Sequence, residues 1–249
     1  MGFNHIFIYD NNDENDEKIE DVIKDDIYRD FVTIFNFRGY RGNIGGPQLA
    51  TYYDCYQRNY MKYDWMAFFD VDEYLELYPK NQTIQGFLSD SRFDKCESIK
   101  INWKLFTDNN FLEFEDRPLN ERFSEQANIL AKANTVTKVI IRGNLENYSL
   151  RKNYGPHELF YSNRSCDSNG KIRLGVHVNP PEYKTSILNH YFTKTINEFC
   201  RKIKRGHAYY NLTYDNKLFF RTFNMFFRYN KKTKEKIDIF NKNFNTSFK

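Results

Sequence analysis

The chain has 249 residues, of which 40% are hydrophobic and 18% aromatic, and its formal net charge is +4. This composition excludes a disordered chain, and the near balance of charges excludes a strongly basic protein built to bind nucleic acid. The length suffices for one large domain with a full hydrophobic core. The sequence has no apolar run as long as a transmembrane helix and no signal-peptide pattern, so we expect a cytoplasmic protein.

The four cysteines predict thiols rather than disulfides. Cys55, Cys96, Cys166 and Cys200 are scattered along the chain and form no Cys-x-x-Cys pair. Such spacing is typical of ordinary thiols in a reducing compartment and does not match a structural zinc site. We therefore expect neither a disulfide framework nor a zinc ion.

The first part of the chain alternates predicted strands and helices. The apolar periodicity predicts strands over residues 3–9, 31–37 and 65–69 and helices over residues 18–31 and 48–63. This alternation is typical of right-handed crossovers between parallel strands. We therefore predict an α/β fold with a mostly parallel sheet, on which ligands bind beyond the carboxyl ends of the strands.

The second part of the chain is less regular. Its pattern predicts strands over residues 98–106 and 135–142, helices over residues 121–132 and 193–210, and a loop-rich stretch over residues 146–178. These elements do not alternate in a fixed order. We therefore predict an irregular α+β arrangement for this half of the protein.

We predict a single domain over residues 1–229, with a nucleotide and metal half at 1–95 and an acceptor half at 96–229. Residues 230–249 are rich in Lys and Asn, which predicts a solvated basic tail. Residues 218–236 interleave aromatic and basic residues, a pattern that favours packing against the core. Peripheral contact with an anionic membrane surface is the alternative interpretation of this segment.

Two carboxylates follow the most apolar predicted strand. Asp70 and Asp72 come after residues 65–69, and because side chains alternate along a strand, they are expected to point the same way. Two such carboxylates repel each other unless a cation lies between them, and Mn²⁺ or Mg²⁺ suits their oxygens. A divalent ion there would neutralise a diphosphate leaving group. The alternative is an exposed acidic strand end.

Seven blocks of the chain carry a resemblance to a known family. They are residues 5–12, 48–55, 64–75, 102–106, 121–123, 137–140 and 190–206. In this order they resemble glycosyltransferase family 92 and related family 2-like enzymes. The resemblance implies a GT-A fold with a Rossmann-like sheet, a nucleotide-sugar donor such as a UDP-sugar, Mn²⁺ or Mg²⁺, and inversion at the anomeric carbon. It also implies a carbohydrate or glycolipid acceptor.

The resemblance assigns binding roles residue by residue. At the nucleotide sugar it places Asp10, Asn11, Gln48, Asp70 and Lys194, and at the metal it places Asp70, Asp72 and His190. The side-chain chemistry agrees, because an imidazole can complete a metal site and a lysine can meet a phosphate. The alternatives are a core histidine for His190 and a surface charge for Lys194.

An inverting transfer needs a base that takes the proton of the acceptor hydroxyl. The candidates are Asp108, Asp116 and Glu121, of which Asp108 is favoured because it lies in the turn after the block at residues 102–106. The alternatives are a turn cap for Asp108, a solvated charge for Asp116 and an internal salt bridge for Glu121. The sequence by itself does not choose among the three carboxylates.

The chain departs from the family pattern in two places. Relatives carry a glycine after the Trp-x-x-Phe block, where this chain has Thr-Asp-Asn-Asn at residues 107–110. Relatives also carry an earlier strand and helix, so we expect an in-frame upstream stretch. A catalytically impaired form that binds nucleotide or glycan is one alternative function. A sugar-phosphate nucleotidyltransferase is another, but the glycine-rich residues 42–46 follow a later strand than such an enzyme requires.

Overall fold

The computed structural model describes residues 2–23, 30–40, 46–80, 82–148, 155–205 and 216–244. The strands are β1 (Ile6–Asp10), β2 (Val32–Asn36), β3 (Trp65–Phe68), β4 (Glu73–Leu77), β5 (Ser98–Leu105), β6 (Thr137–Arg142), β7 (Ser165–Asp167) and β8 (Ser186–His190). The α-helices are α1 (Ile19–Val22), α2 (Gly46–Asn59), α3 (Ile84–Leu88), α4 (Leu119–Arg122), α5 (Ile196–Arg205), α6 (Asn216–Tyr229) and α7 (Lys231–Phe244). Short 3₁₀ helices cover Ser91–Phe93 and Lys132–Thr135.

The strands form two sheets. β1 and β2 pair in parallel, as the predicted crossover requires. The larger sheet has the order β3-β6-β5-β8-β4, with β7 also paired to β5. In it β3–β6, β5–β6 and β4–β8 are antiparallel, whereas β5–β7 and β5–β8 are parallel. The α/β class is confirmed, but the prediction of a mostly parallel sheet is wrong, because β3 pairs with a strand from the irregular second half.

The larger sheet is curled, and the curl closes at the predicted site. Residues 69–72 join β3 to β4, which lie at opposite ends of the strand order. Five flat strands would separate these edges by about 19 Å. Even when fully extended, the four residues of this connection span at most about 18 Å. The connection is shorter than that, because it contains a turn in which the Glu73 N–H donates a hydrogen bond to the Asp70 carbonyl. The sheet must therefore curl, which brings the ends of β6 and β8 towards this connection.

Both faces of the larger sheet are covered by apolar side chains. On one face the core contains Leu75, Leu77, Ile84, Phe87, Phe93, Ile99, Ile101, Ile140 and Leu188. On the other face α2 packs against β3 and β6 through Cys55, Tyr56, Met66, Phe68, Val139 and Ile141. Tyr56 is completely buried, and its hydroxyl donates a hydrogen bond to the Arg142 carbonyl. The helix predicted over residues 48–63 is confirmed as α2, which begins at Gly46 and ends at Asn59 and fixes the position of β3 and its carboxyl end.

The C-terminal region, predicted as a solvated basic tail, is helical, and most of its described side chains are exposed. Residues 231–244 form α7, and Asn230 and Thr233 at its start are buried. Aromatic residues of α6 pack inward, with the ring centroids of Phe226 and Phe199 5.0 Å apart, which confirms core packing for this part of residues 218–236. Within the described residues, no helix is both long and apolar enough to cross a membrane.

The predicted helix over residues 121–132 is wrong, because α4 ends at Arg122.

The prediction of four thiols is also wrong. Cys96 and Cys166 form a disulfide across 70 residues of sequence, whereas Cys55 and Cys200 remain thiols. The parallel pairing of β5 with β7 brings the two bonded cysteines together, and sequence spacing cannot reveal such pairing. Disulfides persist in oxidising environments, so the expectation of a reducing compartment loses its basis.

Candidate active site

Asp70 lies at the centre of a hydrogen-bonded network at the end of β3. Its Oδ1 atom accepts hydrogen bonds from Gln48 Nε2 at 2.6 Å, from Tyr52 Oη at 2.7 Å and from Lys138 Nζ at 2.8 Å. Burial by itself raises the pKa of Asp70, but the Lys138 ammonium and these hydrogen bonds lower it to about 2. Asp70 is therefore ionised, and α2 and β6 hold its carboxylate in one orientation.

Asp72 lies among one imidazole and two ammonium groups. His190 Nε2 is 3.7 Å from Asp72 Oδ1, while Lys194 Nζ and Lys202 Nζ are 3.3 and 3.7 Å from Asp72 Oδ2. Burial by itself raises the pKa of Asp72, but these neighbours outweigh it, so that the pKa lies below its usual range. The end of β8 and helix α5 thus bring three side chains to the second carboxylate.

His190 is a buried, neutral imidazole. It lies at the end of β8 opposite Glu73 in the strand register, and its ring centroid is 4.2 Å from that of Trp103. Burial lowers the pKa of His190 to about 3, and its Nδ1 atom has no hydrogen-bond partner among the residues that the structure describes. A neutral imidazole keeps a lone pair, which is the state in which histidine binds a metal. The geometry is compatible with the predicted ligand role.

The donor set around Asp72 fits a hard divalent cation only if a substrate completes the coordination. Among the described residues, no three His, Cys, Asp or Glu side chains gather into a metal-binding cluster. Asp72 and His190 supply two donor groups of types that Mn²⁺ accepts. Mg²⁺ sites commonly use one or two carboxylates, with phosphate oxygens and water as the other ligands. The residues present therefore suit an ion shared between the protein and a diphosphate.

Glu73 is a buried carboxyl group to which the sequence assigned no role. Its Oε2 atom accepts a hydrogen bond from the Asp70 N–H at 2.9 Å, while Oε1 has no hydrogen-bond partner in the described part of the chain. Burial raises the pKa of Glu73 to about 8, although Lys138 Nζ lies 3.7 Å away. At neutral pH this carboxyl group is therefore mostly protonated, and it braces the backbone of the carboxylate pair.

Asp10 and Asn11 bind neighbouring loops of the chain. Asp10 is buried and accepts hydrogen bonds from Arg38 Nη1 at 3.0 Å and from the backbone N–H groups of Asn12 and Ile19. Asn11 Nδ2 donates to two backbone carbonyls. Within the described part of the chain, no hydrogen bond or ion pair joins Asp10 or Asn11 to Asp70 or Asp72. Their assignment to the nucleoside stays a prediction.

The three base candidates have different environments. Asp108 is buried, and its carboxylate accepts hydrogen bonds from the Asn110 N–H and the Thr233 hydroxyl. Burial raises the pKa of Asp108. Asp116 and Glu121 are exposed. The predicted alternative for Glu121, a salt bridge to Arg117 or Arg122, is not what the structure shows. Those two arginines pair with Glu115 and Glu198.

The turn at residues 107–110, where the family pattern in the sequence analysis has a glycine, has left-handed backbone at two asparagines. Asn109 and Asn110 adopt φ angles of 49° and 63°, which lie in the left-handed region. Asparagine tolerates that region better than other residues with a Cβ atom. The two asparagines thus adopt a backbone conformation that glycine adopts most readily.

The sequence analysis assigned no role to one tyrosine and two lysines that contact the carboxylate pair. Tyr52, Lys138 and Lys202 lie in blocks that carried the resemblance, but they received no role. Lys138 had a detectable signal, because it directly precedes the apolar run of β6 and both it and that run are buried. A lone lysine in a buried strand usually has an acidic partner. For Lys202 there was no such signal, since α5 is rich in basic residues.

An α/β fold with a carboxylate pair, a neutral histidine and several lysines at one end of its sheet is suited to group transfer from a phosphorylated donor. The model of glycosyltransferase family 92 matches residues 1–247 of this chain. The chain therefore belongs to glycosyltransferase family 92, which confirms the resemblance and makes the protein a glycosyltransferase with a sugar donor and a glycan acceptor. No curated protein matches the chain.

Proposed function

We propose that this glycosyltransferase moves a sugar from a nucleoside diphosphate sugar, a UDP-sugar, to a hydroxyl group of a carbohydrate or glycolipid acceptor. The proposal includes inversion at the anomeric carbon, a GT-A arrangement of the nucleotide half, and Mn²⁺ or Mg²⁺ as cofactor. The observation that carries it is the position of Asp72, which lies beside neutral His190 and two lysine ammonium groups.

The residues around Asp72 and Asp70 have different roles in binding the diphosphate. Asp72 and His190 would hold the divalent ion, which neutralises charge on the departing diphosphate when it is bound. Lys194 lies close enough to Asp72, at 3.3 Å, to reach a phosphate held at the same carboxylate. Gln48, Tyr52 and Lys138 keep Asp70 ionised and fixed in orientation, so its position costs no reorganisation during transfer.

The base must lie where an acceptor hydroxyl can reach it. The Asp108 carboxylate is buried and accepts hydrogen bonds from the Asn110 N–H and the Thr233 hydroxyl, which favours a structural role for it. Asp116 and Glu121 are exposed and remain available to an acceptor. We therefore place the base at Asp116 or Glu121 rather than at the initially favoured Asp108.

The test of this function is release of nucleoside diphosphate from a panel of UDP-, GDP- and ADP-sugars in the presence of Mn²⁺. We expect release by the wild-type protein and a loss of about 10²–10³-fold in Asp72→Ala. Asp64→Ala is the matched control, since Asp64 is exposed at the opposite end of β3. If the folded wild-type protein releases no diphosphate from any donor, the proposed function is wrong.

A further inference from the structure

We propose that the Nε2 atom of His157 accepts a hydrogen bond from a hydroxyl group of the sugar that the donor carries. This inference rests on the proposed function and deepens it, because it assigns a residue to the transferred sugar rather than to the diphosphate. Three observations support it: the hydrogen bond that fixes the imidazole, the acceptor atom that this bond leaves unused, and the position of the ring beside the site.

The protein fixes one tautomer of the His157 imidazole. The Nδ1 atom lies 3.0 Å from the carbonyl oxygen of Thr137, and because a carbonyl oxygen only accepts, Nδ1 carries the proton of this hydrogen bond. Burial and the charge of Lys138 lower the pKa of His157 to about 4, so the ring is neutral at pH 7. A neutral imidazole has a single N–H group, so Nε2 keeps its lone pair and is an acceptor.

The described part of the chain does not use this acceptor atom. Among the described residues, the only hydrogen bond of the His157 ring is the one that Nδ1 donates to Thr137. His157 is only partly buried, and its Nε2 is not among the fully enclosed polar atoms of the described chain. A hydrogen-bond donor of a ligand can therefore reach Nε2 without displacing a protein group from it.

His157 lies beside the candidate site. Its ring packs edge-to-face against Trp103, with the ring centroids 5.1 Å apart, and the ring of Trp103 also contacts His190, at 4.2 Å. Thr137, which fixes the imidazole, directly precedes Lys138 in β6. One indole ring thus separates His157 from the imidazole that is proposed to bind the metal, and the start of β6 holds it in this position.

The chemistry of the donor limits which of its groups can bind to an acceptor nitrogen. Ionised phosphate oxygens only accept hydrogen bonds, whereas the hydroxyl groups of a sugar can donate them. The nucleoside also has donors, but it is assigned to Asp10 and Asn11 at the end of β1 in the smaller sheet, while His157 packs against β5 and β6 of the larger sheet. Because an indole is similar in size to a pyranose ring, a sugar attached to a diphosphate at Asp72 can extend to His157.

Two calorimetric titrations in the presence of Mn²⁺ test this assignment. One uses the nucleotide sugar from which the wild type releases diphosphate fastest, and the other uses the corresponding free nucleoside diphosphate. His157→Asn keeps an N–H group near the position of Nδ1 but removes the acceptor at Nε2. We expect it to weaken binding of the nucleotide sugar about three- to tenfold and to leave binding of the free diphosphate unchanged. His157→Gln carries a carbonyl acceptor near the position of Nε2, so it should bind the nucleotide sugar more tightly than His157→Asn does.

His177→Asn is the matched control, because His177 is an exposed histidine whose Nδ1 atom is also hydrogen-bonded, to the Thr135 hydroxyl. The unfolding midpoint of each variant shows whether the fold is intact. Unchanged affinity of a folded His157→Asn for the nucleotide sugar would overturn the assignment, while the proposed function would stand. Equal weakening for the nucleotide sugar and the free diphosphate would also overturn it, as would weaker binding of the nucleotide sugar by His157→Gln than by His157→Asn. If the wild type releases no diphosphate from any donor, the proposed function fails, and this inference fails with it.

Discussion

Lys138 shows how one buried charge can organise a site. Its ammonium group binds Asp70 and the Tyr52 hydroxyl, and no part of its side chain is exposed. Burial by itself lowers the pKa of Lys138, but Tyr52, Glu73 and Asp70 together raise it. The lysine is therefore always charged, and the energy of this pair depends on both partners being present.

Replacing Lys138 by methionine should destabilise the protein and inactivate it. Lys138→Met leaves Asp70 as an uncompensated charge, and we expect the free energy of unfolding to fall by about 3–5 kcal/mol in urea denaturation. Adding Asp70→Asn should recover part of that loss, because it removes the unpaired charge. Lys171→Met, at an exposed lysine, is the control. Equal stability of wild type and Lys138→Met would contradict this interpretation.

Glu198 should make the free energy of unfolding depend on pH in the acidic range. Burial by itself raises the pKa of Glu198, but Arg122 and the Thr195 groups outweigh it, so the pKa lies below its ordinary value of 4.5. Because the folded-state pKa is depressed, the stabilisation is complete above pH 4.5 and is lost as the pH falls through the folded-state value. The difference in unfolding free energy between wild type and Glu198→Gln should therefore shrink on acidification. A difference that is constant from pH 6 to the acid limit of folding would contradict this.

At the scale of elements, the C-terminal helices hold the loop that carries Asp108. The Asn230 side chain accepts a hydrogen bond from the Asp108 N–H at 2.8 Å, and the Thr233 hydroxyl donates to the Asp108 carboxylate. These contacts join residues more than 120 positions apart along the chain. Helix α7 thus belongs to the folded domain and positions the loop expected to face the acceptor.

Thr233→Val tests this connection with little change of shape. The substitution removes the hydroxyl donor to a buried carboxylate, so we expect a loss of about 1.5–3 kcal/mol in the free energy of unfolding. Lys234→Ala, at the exposed next position of α7, should leave stability nearly unchanged. Thermal or urea unfolding of the two variants measures the difference. A smaller effect from Thr233→Val than from Lys234→Ala would refute the connection.

At the scale of the whole molecule, the curl of the larger sheet creates the site. The connection at residues 69–72 closes the sheet, and it carries both carboxylates to the ends of β6 and β8. A flat sheet with the same strand order would separate Asp70 from the strand that carries His190. The site therefore depends on the overall curvature of the sheet. The Cys96–Cys166 disulfide separately joins a residue just before the start of β5 to β7.

Removal of the disulfide should lower global stability. The bond closes a loop of 70 residues, for which the chain-entropy treatment gives about 4 kcal/mol. We expect the Cys96→Ser, Cys166→Ser double variant to lose about that much in urea denaturation. Adding a reductant should reproduce the loss in the wild type without affecting the double variant. A wild type whose stability is insensitive to reductant would show that the bond contributes little.

The local features of this protein could be predicted from its amino-acid sequence. Periodicity predicted β1, β3, β5, β6 and α2 close to their observed bounds, and the placement of Asp70 and Asp72 after an apolar strand marked the site. The ordered blocks of residues identified the family. These features follow from chain-local rules, because alternation along a strand and the pitch of a helix fix which side chains share a face.

The way in which these elements pack together depends on contacts between residues that are far apart in the sequence. The antiparallel pairing of β3 and the disulfide contradict the sequence-based expectations, and α7 is a helix that they did not include. The pairing of Lys138 with Asp70 and of Lys202 with Asp72 joins residues 68 and about 130 positions apart, and no local pattern encodes such distances. They arise because the sheet curls and buries charges that must then find partners. The positions of Asp70 and Asp72 could be recognised in the sequence, whereas the lysines that lie beside them and lower their pKa values are placed there by tertiary packing.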